Sequence, residues 1–530
     1  MTTKHTYRLL ALALVASTLV LGAFAPSAFA NTQISEGAAA QTASSKIIAA
    51  AAGAEPVGPI MAEPHKGTAV IVGGGLSKNN AAVWSAFLDA ARSAHVGKSG
   101  PVRIAVLATA SGEADEAVAN TKQAIELHSK PGQFDVFELP VRAGDVKAAG
   151  DAQIATMLDD VSGVWFTGGD QSRITDTLTK DGRDRPVMQA IRAVVLRGGV
   201  VGGTSAGAAI MSRIMISGGS SERWLTQLFE KSDDKLSVES GLAFVGDMVV
   251  DQHFISRGRI GRLASVLASQ SVKLGLGIAD DHAVIVNLAT GSVRAIGTPT
   301  AVVVFDARSA VRARIESKPA SADGPVMAGY DELRGLRFWL MGGGDELLPP
   351  GSPAAKAAIA ERVARDAGAK VAATASDSGE LLIRTQARVR PDVQLSARDT
   401  PSETIEAGRL IGQIADEPFS RDAMKQIFNT ARQAMMDHWF TAKPPAGSTS
   451  VQGVAQMPPA VQQIHIAAAG ELFELHFNLG PASHLAAEQA GAGSLMRANA
   501  ARAKGDTTPS LTRENTMPAL HDIEVTIRRK

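Results

Sequence analysis

Between Thr68 and Ser205, short apolar runs and amphipathic stretches take turns, and this alternation leaves the chain few folds to choose from. Thr68-Ala69-Val70-Ile71-Val72 reads as a strand leading into Gly73-Gly74-Gly75, and Asn80 to Ala94 places Val83, Phe87, Ala90 and Ala91 at helical spacing. Further strands follow at Val102 to Leu107, Phe134 to Leu139, Gly163 to Thr167 and through Gly199-Val200-Val201 to Ser205. The helices between them fall at Ala114 to His128, Asp151 to Leu158 and Arg185 to Leu196. Right-handed crossovers return each strand to the same edge, so an α/β fold with a doubly wound parallel sheet is expected, its site at the carboxyl ends of the strands. The glycine triplet fails the spacing of a dinucleotide fingerprint, because Leu76-Ser77-Lys78 follows it, and reads as a tight turn packed near the site.

After Asp280-Asp281 the period changes to two, at Ala283 to Asn287, Val293 to Ile296 and Ala301 to Phe305, which predicts an antiparallel edge with a hairpin. Leu336 to Leu347 closes this region, so one domain is expected over residues 67–347 and a carboxyl-terminal accessory region over 348–530. That region carries helical patterns at Ala354 to Ala367 and Met424 to Trp439, and strand-like runs at Leu472 to Phe477 and Ile523 to Ile527. At the other end, Lys4, His5 and Arg8 precede apolar runs and then Ala28-Phe29-Ala30, the pattern of an export signal over residues 1–30. Residues 31–66, rich in Ala, Ser and Gly, read as a flexible linker. An exported protein, periplasmic or extracellular and free of the membrane once the signal is cleaved, is expected.

Composition narrows the chemistry. With 53 basic and 53 acidic residues there is no net charge to draw the chain to nucleic acid. The absence of cysteine removes disulfides, thiolate nucleophiles and cysteine metal ligands. The eleven histidines are scattered without a metal-binding spacing, so neither metal nor cofactor is expected. The candidate nucleophile is a hydroxyl. Ser205 lies in Gly202-Gly203-Thr204-Ser205-Ala206-Gly207, between a strand-like run and the helix-like Ala208-Ala209-Ile210-Met211. Small neighbours are what a sharp strand-to-helix turn needs in order to present a nucleophile. A general base for it is found at His253, which follows the apolar Val249-Val250 and precedes Arg257, Arg259 and Arg262. A serine and a histidine ending two strands of one parallel sheet can meet above its edge.

Four segments together resemble the cyanophycinases, serine peptidases related to aspartyl dipeptidase. They are Phe166-Thr167-Gly168-Gly169-Asp170-Gln171, Gly203 to Ala209, Asp251-Gln252-His253-Phe254 with Arg257 to Arg262, and Gly275 to Asp281. The resemblance spans roughly Gly67 to Leu347 and implies a flavodoxin-like, class I glutamine amidotransferase-like sheet. It further implies hydrolysis of multi-L-arginyl-poly-L-aspartate (cyanophycin) to β-aspartyl-arginine dipeptides through an acyl-enzyme, and a homodimer. Under it Ser205 is the nucleophile, His253 the base and Glu222 the third member, an acid just after Gly218-Gly219-Ser220-Ser221. The family has one more residue between that turn and its acid. Backbone N–H groups of Gly169 and Ala206 would form the oxyanion hole. Gln171, Asp251, Gln252, Arg257, Arg259 and Arg262 would bind substrate, and Asp280, where the family has a glutamate, would hold the substrate's guanidinium. The shorter Asp280 and the apolar Ala279 leave open a peptidase of short aspartyl or isoaspartyl peptides, and a non-catalytic exported polymer-binding protein is a third possibility. The accessory region would then serve granule binding or oligomerisation.

Overall fold

A computed structural model of the chain describes residues 66–230, 238–296, 302–315, 330–341 and 343–367, and beyond these 382–384, 419, 454–456, 464–469, 473–479, 484–486 and 519–529. The expected signal, all but the last residue of the expected linker, and the helix expected at Met424 to Trp439 lie outside the described residues.

The first half follows the expected alternation, with the helix expected at Asp151 to Leu158 shortened to Ala152–Thr156 and α3 added: β1 (Thr68–Val72), α1 (Ala81–His95), β2 (Val102–Leu107), α2 (Ala114–Leu127), β3 (Phe134–Glu138), β4 (Gly163–Phe166), α3 (Gln171–Leu178), α4 (Pro186–Leu196) and β5 (Val200–Thr204). Local chemistry sets several of the boundaries. Asn80 caps α1 by accepting from the Val83 N–H, Asp170 caps α3 by accepting from the Ser172 N–H, and Pro186 opens α4 where its missing N–H costs nothing. Strands β3, β2, β4, β5 and β1 lie side by side in that order, all parallel. Winding reverses between β2 and β4, which makes this the doubly wound, flavodoxin-like α/β sheet. Its other side is antiparallel: β9 (Ala283–Asn287) pairs with β1, β10 (Val293–Ile296) with β9, and β13 (Glu346–Leu348) with β10.

A second sheet was not legible as such. The short α5 (Ala206–Ala209) and β6 (Ile214–Ile216) lead to α6 (Ser221–Glu230), β7 (Met248–Asp251), α7 (Ile260–Ser269) and β8 (Leu274–Ile278). Strand β7 pairs in parallel with β8, and β8 then pairs antiparallel with β11 (Val302–Asp306), β11 with β12 (Tyr330–Met341) and β12 with β17 (Ala519–Arg529). Two further strands, β15 (Ile464–Ala469) and β16 (Phe473–Leu479), extend it beyond β17; β14 (Leu382–Arg384) instead joins the first sheet beside β13. Three expectations are thereby corrected. The strand before His253 belongs to this second sheet and not to the sheet of Ser205, and Val302–Asp306 joins it as well, leaving the predicted antiparallel edge divided between two sheets. The boundary drawn after residue 347 falls inside β13, and β17, from beyond that boundary, hydrogen-bonds to β12.

The physical cause is alternation on β11. Val302 and Val304 face one core, shared with Ile71 and Val201 of the first sheet and with Val250 and Leu276. Val303 and Phe305 face another, shared with Trp224, Phe254, Leu263, Phe338 and Ile527. A third core lies on the far side of the first sheet, where α1 sets Trp84 and Phe87 against Trp165 with ring centroids 4.8 and 4.9 Å apart. A strand apolar on both faces has to be covered on both: the first sheet covers one face of β11, and α6 and α7 cover the other. No helix among the described residues is long and apolar enough to cross a membrane.

Candidate active site

Ser205 is the hinge between β5 and α5 and adopts φ 54° and ψ −108°, a conformation that a side chain other than glycine's occupies only under constraint. The constraint comes from its neighbours. The Ser205 N–H donates to the Val72 carbonyl at 3.1 Å, which ties the turn to β1. On either side of the turn the backbones are in contact, since a Cβ on Gly203 would lie 2.4 Å from the Gly207 oxygen and one on Gly207 2.5 Å from the Phe166 oxygen. The next residue, Ala206, is buried and opens α5. Gly168 lies alongside, a Cβ built on it reaching within 3.5 Å of the Ser205 Cβ. Gly169 follows with φ 141°.

His253 ends the β7 segment at φ 48°, its N–H donating to the Gly73 carbonyl at 2.5 Å. Its Nε2 lies 2.8 Å from the Ser205 Oγ. Nδ1 is bound by the carboxylate of Asp280, which ends the neighbouring parallel strand β8. A carboxylate can only accept here, so Nδ1 carries the proton and Nε2 is left as the acceptor for the serine hydroxyl. Burial pushes the imidazole below its ordinary pKa; Asp280 opposes this, while the charges of Arg257 and Arg259 add to it. The neutral base is therefore the resting form at neutral pH.

Two expected roles are corrected by this geometry. Glu222 is not the partner of His253: both ring nitrogens are taken, and Glu222 lies half-buried in the first turn of α6, a favourable place for an acid at a helix start. The neighbouring Ser221, buried and hydrogen-bonded through Oγ to the Gly258 carbonyl, fixes the helix start. Asp280, expected to face the substrate's guanidinium, holds the imidazole instead. What could have found it is its position, closing the apolar strand Leu274–Ile278 much as His253 follows Met248–Asp251.

The expected substrate contacts separate into an inner and an outer set. Asp251, 1% exposed, accepts from Arg262 through Nε at 2.9 Å and through Nη2, and from Arg259 Nη1 at 3.4 Å. Arg259 Nη1 also donates to Gln252 Oε1 at 2.8 Å, and Arg262 Nη1 to the Gly219 carbonyl at 3.0 Å. Desolvation lowers Arg259 to about 10, against the pull of Asp251. Gln171 is buried and donates to the Ile216 carbonyl at 3.0 Å. Asp251, Gln252, Arg259 and Arg262 thus bond to one another and Gln171 to a backbone carbonyl, so these buried side chains brace the elements around the site. Arg257 is exposed and close enough for its charge to act on His253.

One piece of the site was only half legible. The Gly73-Gly74-Gly75 turn lies between His253 and Asp280: a Cβ on Gly74, where φ is 116°, would fall 2.2 Å from the His253 Cε1, and one on Gly75 3.2 Å from the Asp280 Oδ1. Among the described residues no group of three or more histidines and acids is placed to hold a metal ion.

Comparison with known proteins bears on this segment. Residues 92–293 match the model of peptidase family S51, a span that holds Ser205, His253 and Asp280 and begins after the glycine turn. A cyanophycinase of Trichormus variabilis is 41% identical over 132 residues, 24% of this chain and 41% of that protein. The cyanophycinase of Geminocystis herdmanii is 36% identical over 160 residues, 30% of this chain and 54% of that one. That of Synechococcus elongatus is 33% identical over 179 residues, covering 32% and 52%. The chain spans about half the length of the curated relatives it matches.

Proposed function

We propose that this chain is a serine-type peptidase of family S51, and that it hydrolyses multi-L-arginyl-poly-L-aspartate to β-aspartyl-arginine. The observation that carries the reading is the continuous hydrogen-bonded series Ser205 Oγ, His253 Nε2, His253 Nδ1 and Asp280, with the serine on a strained turn. In the reaction, Nε2 takes the hydroxyl proton as Oγ attacks the substrate carbonyl, and the negative charge passes to the carbonyl oxygen, facing the N–H groups of Ala206 and Gly169. As the tetrahedral species collapses, the imidazolium returns that proton to the departing amine, leaving an ester on Ser205. Water, deprotonated by the same nitrogen, then releases the acid and restores the hydroxyl. Asp280 keeps the imidazole in the required tautomer and stabilises its charged form. Arg257 is the exposed cation available to a carboxylate of the substrate.

The test is direct. Incubation of purified protein with the insoluble polymer is expected to release β-aspartyl-arginine, seen by mass analysis, and Ser205→Ala is expected to release none. Wild-type release by that variant overturns the reading.

A second reading has one observation in its favour. Asp280, the acid expected to hold a substrate arginine, is engaged by His253, and its neighbour Ala279 is apolar and buried. Short aspertyl-type peptides without that side chain, that is aspartyl or isoaspartyl dipeptides, would then be preferred. The ratio of kcat/KM on the polymer to that on such dipeptides decides between the two. Export, read from Met1 to Ala30, belongs to the same proposal and is tested by fractionating cells that produce the full chain.

A further inference from the structure

The segment after Asp280 makes more contacts than a loop needs in order to turn. Asp281 stands at φ 59°, and its Oδ1 accepts from the Ser77 N–H at 2.8 Å and from Asn80 Nδ2 at 3.0 Å. The same Nδ2 donates to the Asp281 carbonyl at 2.8 Å, and the Asp281 N–H donates to the Gly74 carbonyl at 2.7 Å. On the other side of the turn the Gly73 N–H donates to the His282 carbonyl at 3.0 Å. Asn80 is at the same time the cap of α1, through its Oδ1, and Trp84 of that helix donates from Nε1 to the Ser77 carbonyl at 3.1 Å. The strand-end loop bearing Asp280 is thus sewn to residues 73–84, and those residues lie against the imidazole and the Asp280 carboxylate at once.

We propose that Asp281 and Asn80 are a positioning pair for the catalytic centre: by pinning the glycine turn and the start of α1 to the 280–282 loop, they hold the Asp280 carboxylate on His253 Nδ1. This rests on the peptidase reading above for its functional meaning, but its structural content stands apart from it. Neither residue touches the serine, so the pair acts only through Asp280 and the turn. An unpaired loop at this position could still fold, since the first sheet is held by β1, β5 and β9; what it would lose is the alignment of one carboxylate with one ring nitrogen. A misplacement of about 1 Å at such a contact costs on the order of 100-fold in rate.

Two readouts test it. The first is the low-field proton resonance of a hydrogen-bonded imidazole N–H, which reports the His253 to Asp280 bond without substrate. The second is the rate at which a serine-directed phosphonate labels Ser205. Asp281→Ala is expected to lose the resonance and to label about 10- to 100-fold more slowly. Asp281→Asn, which keeps an acceptor at the same place and tolerates the left-handed backbone, is expected to recover both in large part. Asp281→Gly relieves the backbone but removes the acceptor, and is expected to resemble Asp281→Ala. Asn80→Ser retains a good helix cap and removes the reaching donor, and is expected to lose as much as Asp281→Ala; the double variant is expected to lose little more, because the two act as one unit. The proposal is overturned if Asp281→Ala keeps both the resonance and the wild-type labelling rate, or if Asp281→Gly matches Asp281→Asn. A wild-type protein that shows the resonance but is never labelled refutes the peptidase reading instead, and loss of the resonance in Asp281→Ala would still uphold the positioning role.

Discussion

At the scale of single residues, the chemistry rests on which carboxylate meets His253. Asp280→Asn keeps the shape and removes the charge that stabilises the imidazolium, so kcat should fall by about 100- to 10,000-fold, whereas Glu222→Gln should change it by less than about threefold; parallel steady-state assays check the pair. A pH profile gives a second test. Burial, outweighing Asp280, holds the His253 pKa below the ordinary imidazole value of about 6.5. The acid limb of kcat/KM should therefore have its midpoint below that value, activity rising as pH rises through it, and Asp280→Asn should move the limb lower still by removing the influence that raises it. The same shift has a sign for stability. Between the folded and unfolded pKa values the unfolded chain binds more protons, so the contribution is complete above the unfolded value and is lost as pH falls toward the folded one. Ser205 and His253 were legible because each closes an apolar run with the residue type that acyl transfer needs. Asp280 closes an apolar run in the same way, but the resemblance gave it to the substrate's guanidinium, and only the long-range pairing of β7 with β8 brings it, out of 53 aspartates and glutamates, to a ring nitrogen.

At the scale of elements, the turn after β1 and the network under β7 carry the consequences. Gly74→Ala would place a methyl 2.2 Å from the His253 Cε1 while leaving every core residue in place. A folded protein with about 100-fold lower activity is expected, distinguished from misfolding by an unchanged circular dichroism spectrum. Asp251→Ala acts differently. It strands the buried guanidiniums of Arg259 and Arg262, and an uncompensated charge of that kind costs on the order of 3–5 kcal/mol, to be read from urea unfolding midpoints. The alternation of strands and helices up to Ser205 was readable, since each element is long enough to show its period. That Arg259 and Arg262 are buried and paired with Asp251 while Arg257 is exposed was not readable, because a helix drawn from sequence shows which residues share a face but not which face is covered. Here α7 is buried along nearly its whole length, from Ile260 to Leu267.

At the scale of the whole molecule, the two sheets share a core, and strands from beyond residue 347 complete the second. A chain ending at residue 347 would lose β17, uncovering Leu333, Leu336 and Phe338 of β12 along with the edge that β17 pairs. Such a fragment is expected to be insoluble or to bind a hydrophobic dye strongly, whereas the full chain is expected to do neither; expression of the two side by side checks it. The second sheet was hidden in the sequence because membership of a sheet is a long-range choice: β11 pairs with β8 and β12, while the hairpin just before it stays with β1. One consequence follows from how the centre is divided. The hydroxyl rides on one layer and the imidazole on the other, so the gap between them is a gauge of how those layers are stacked. Heat or denaturant that shifts one layer against the other should therefore abolish labelling of Ser205 before the circular dichroism of the fold is lost.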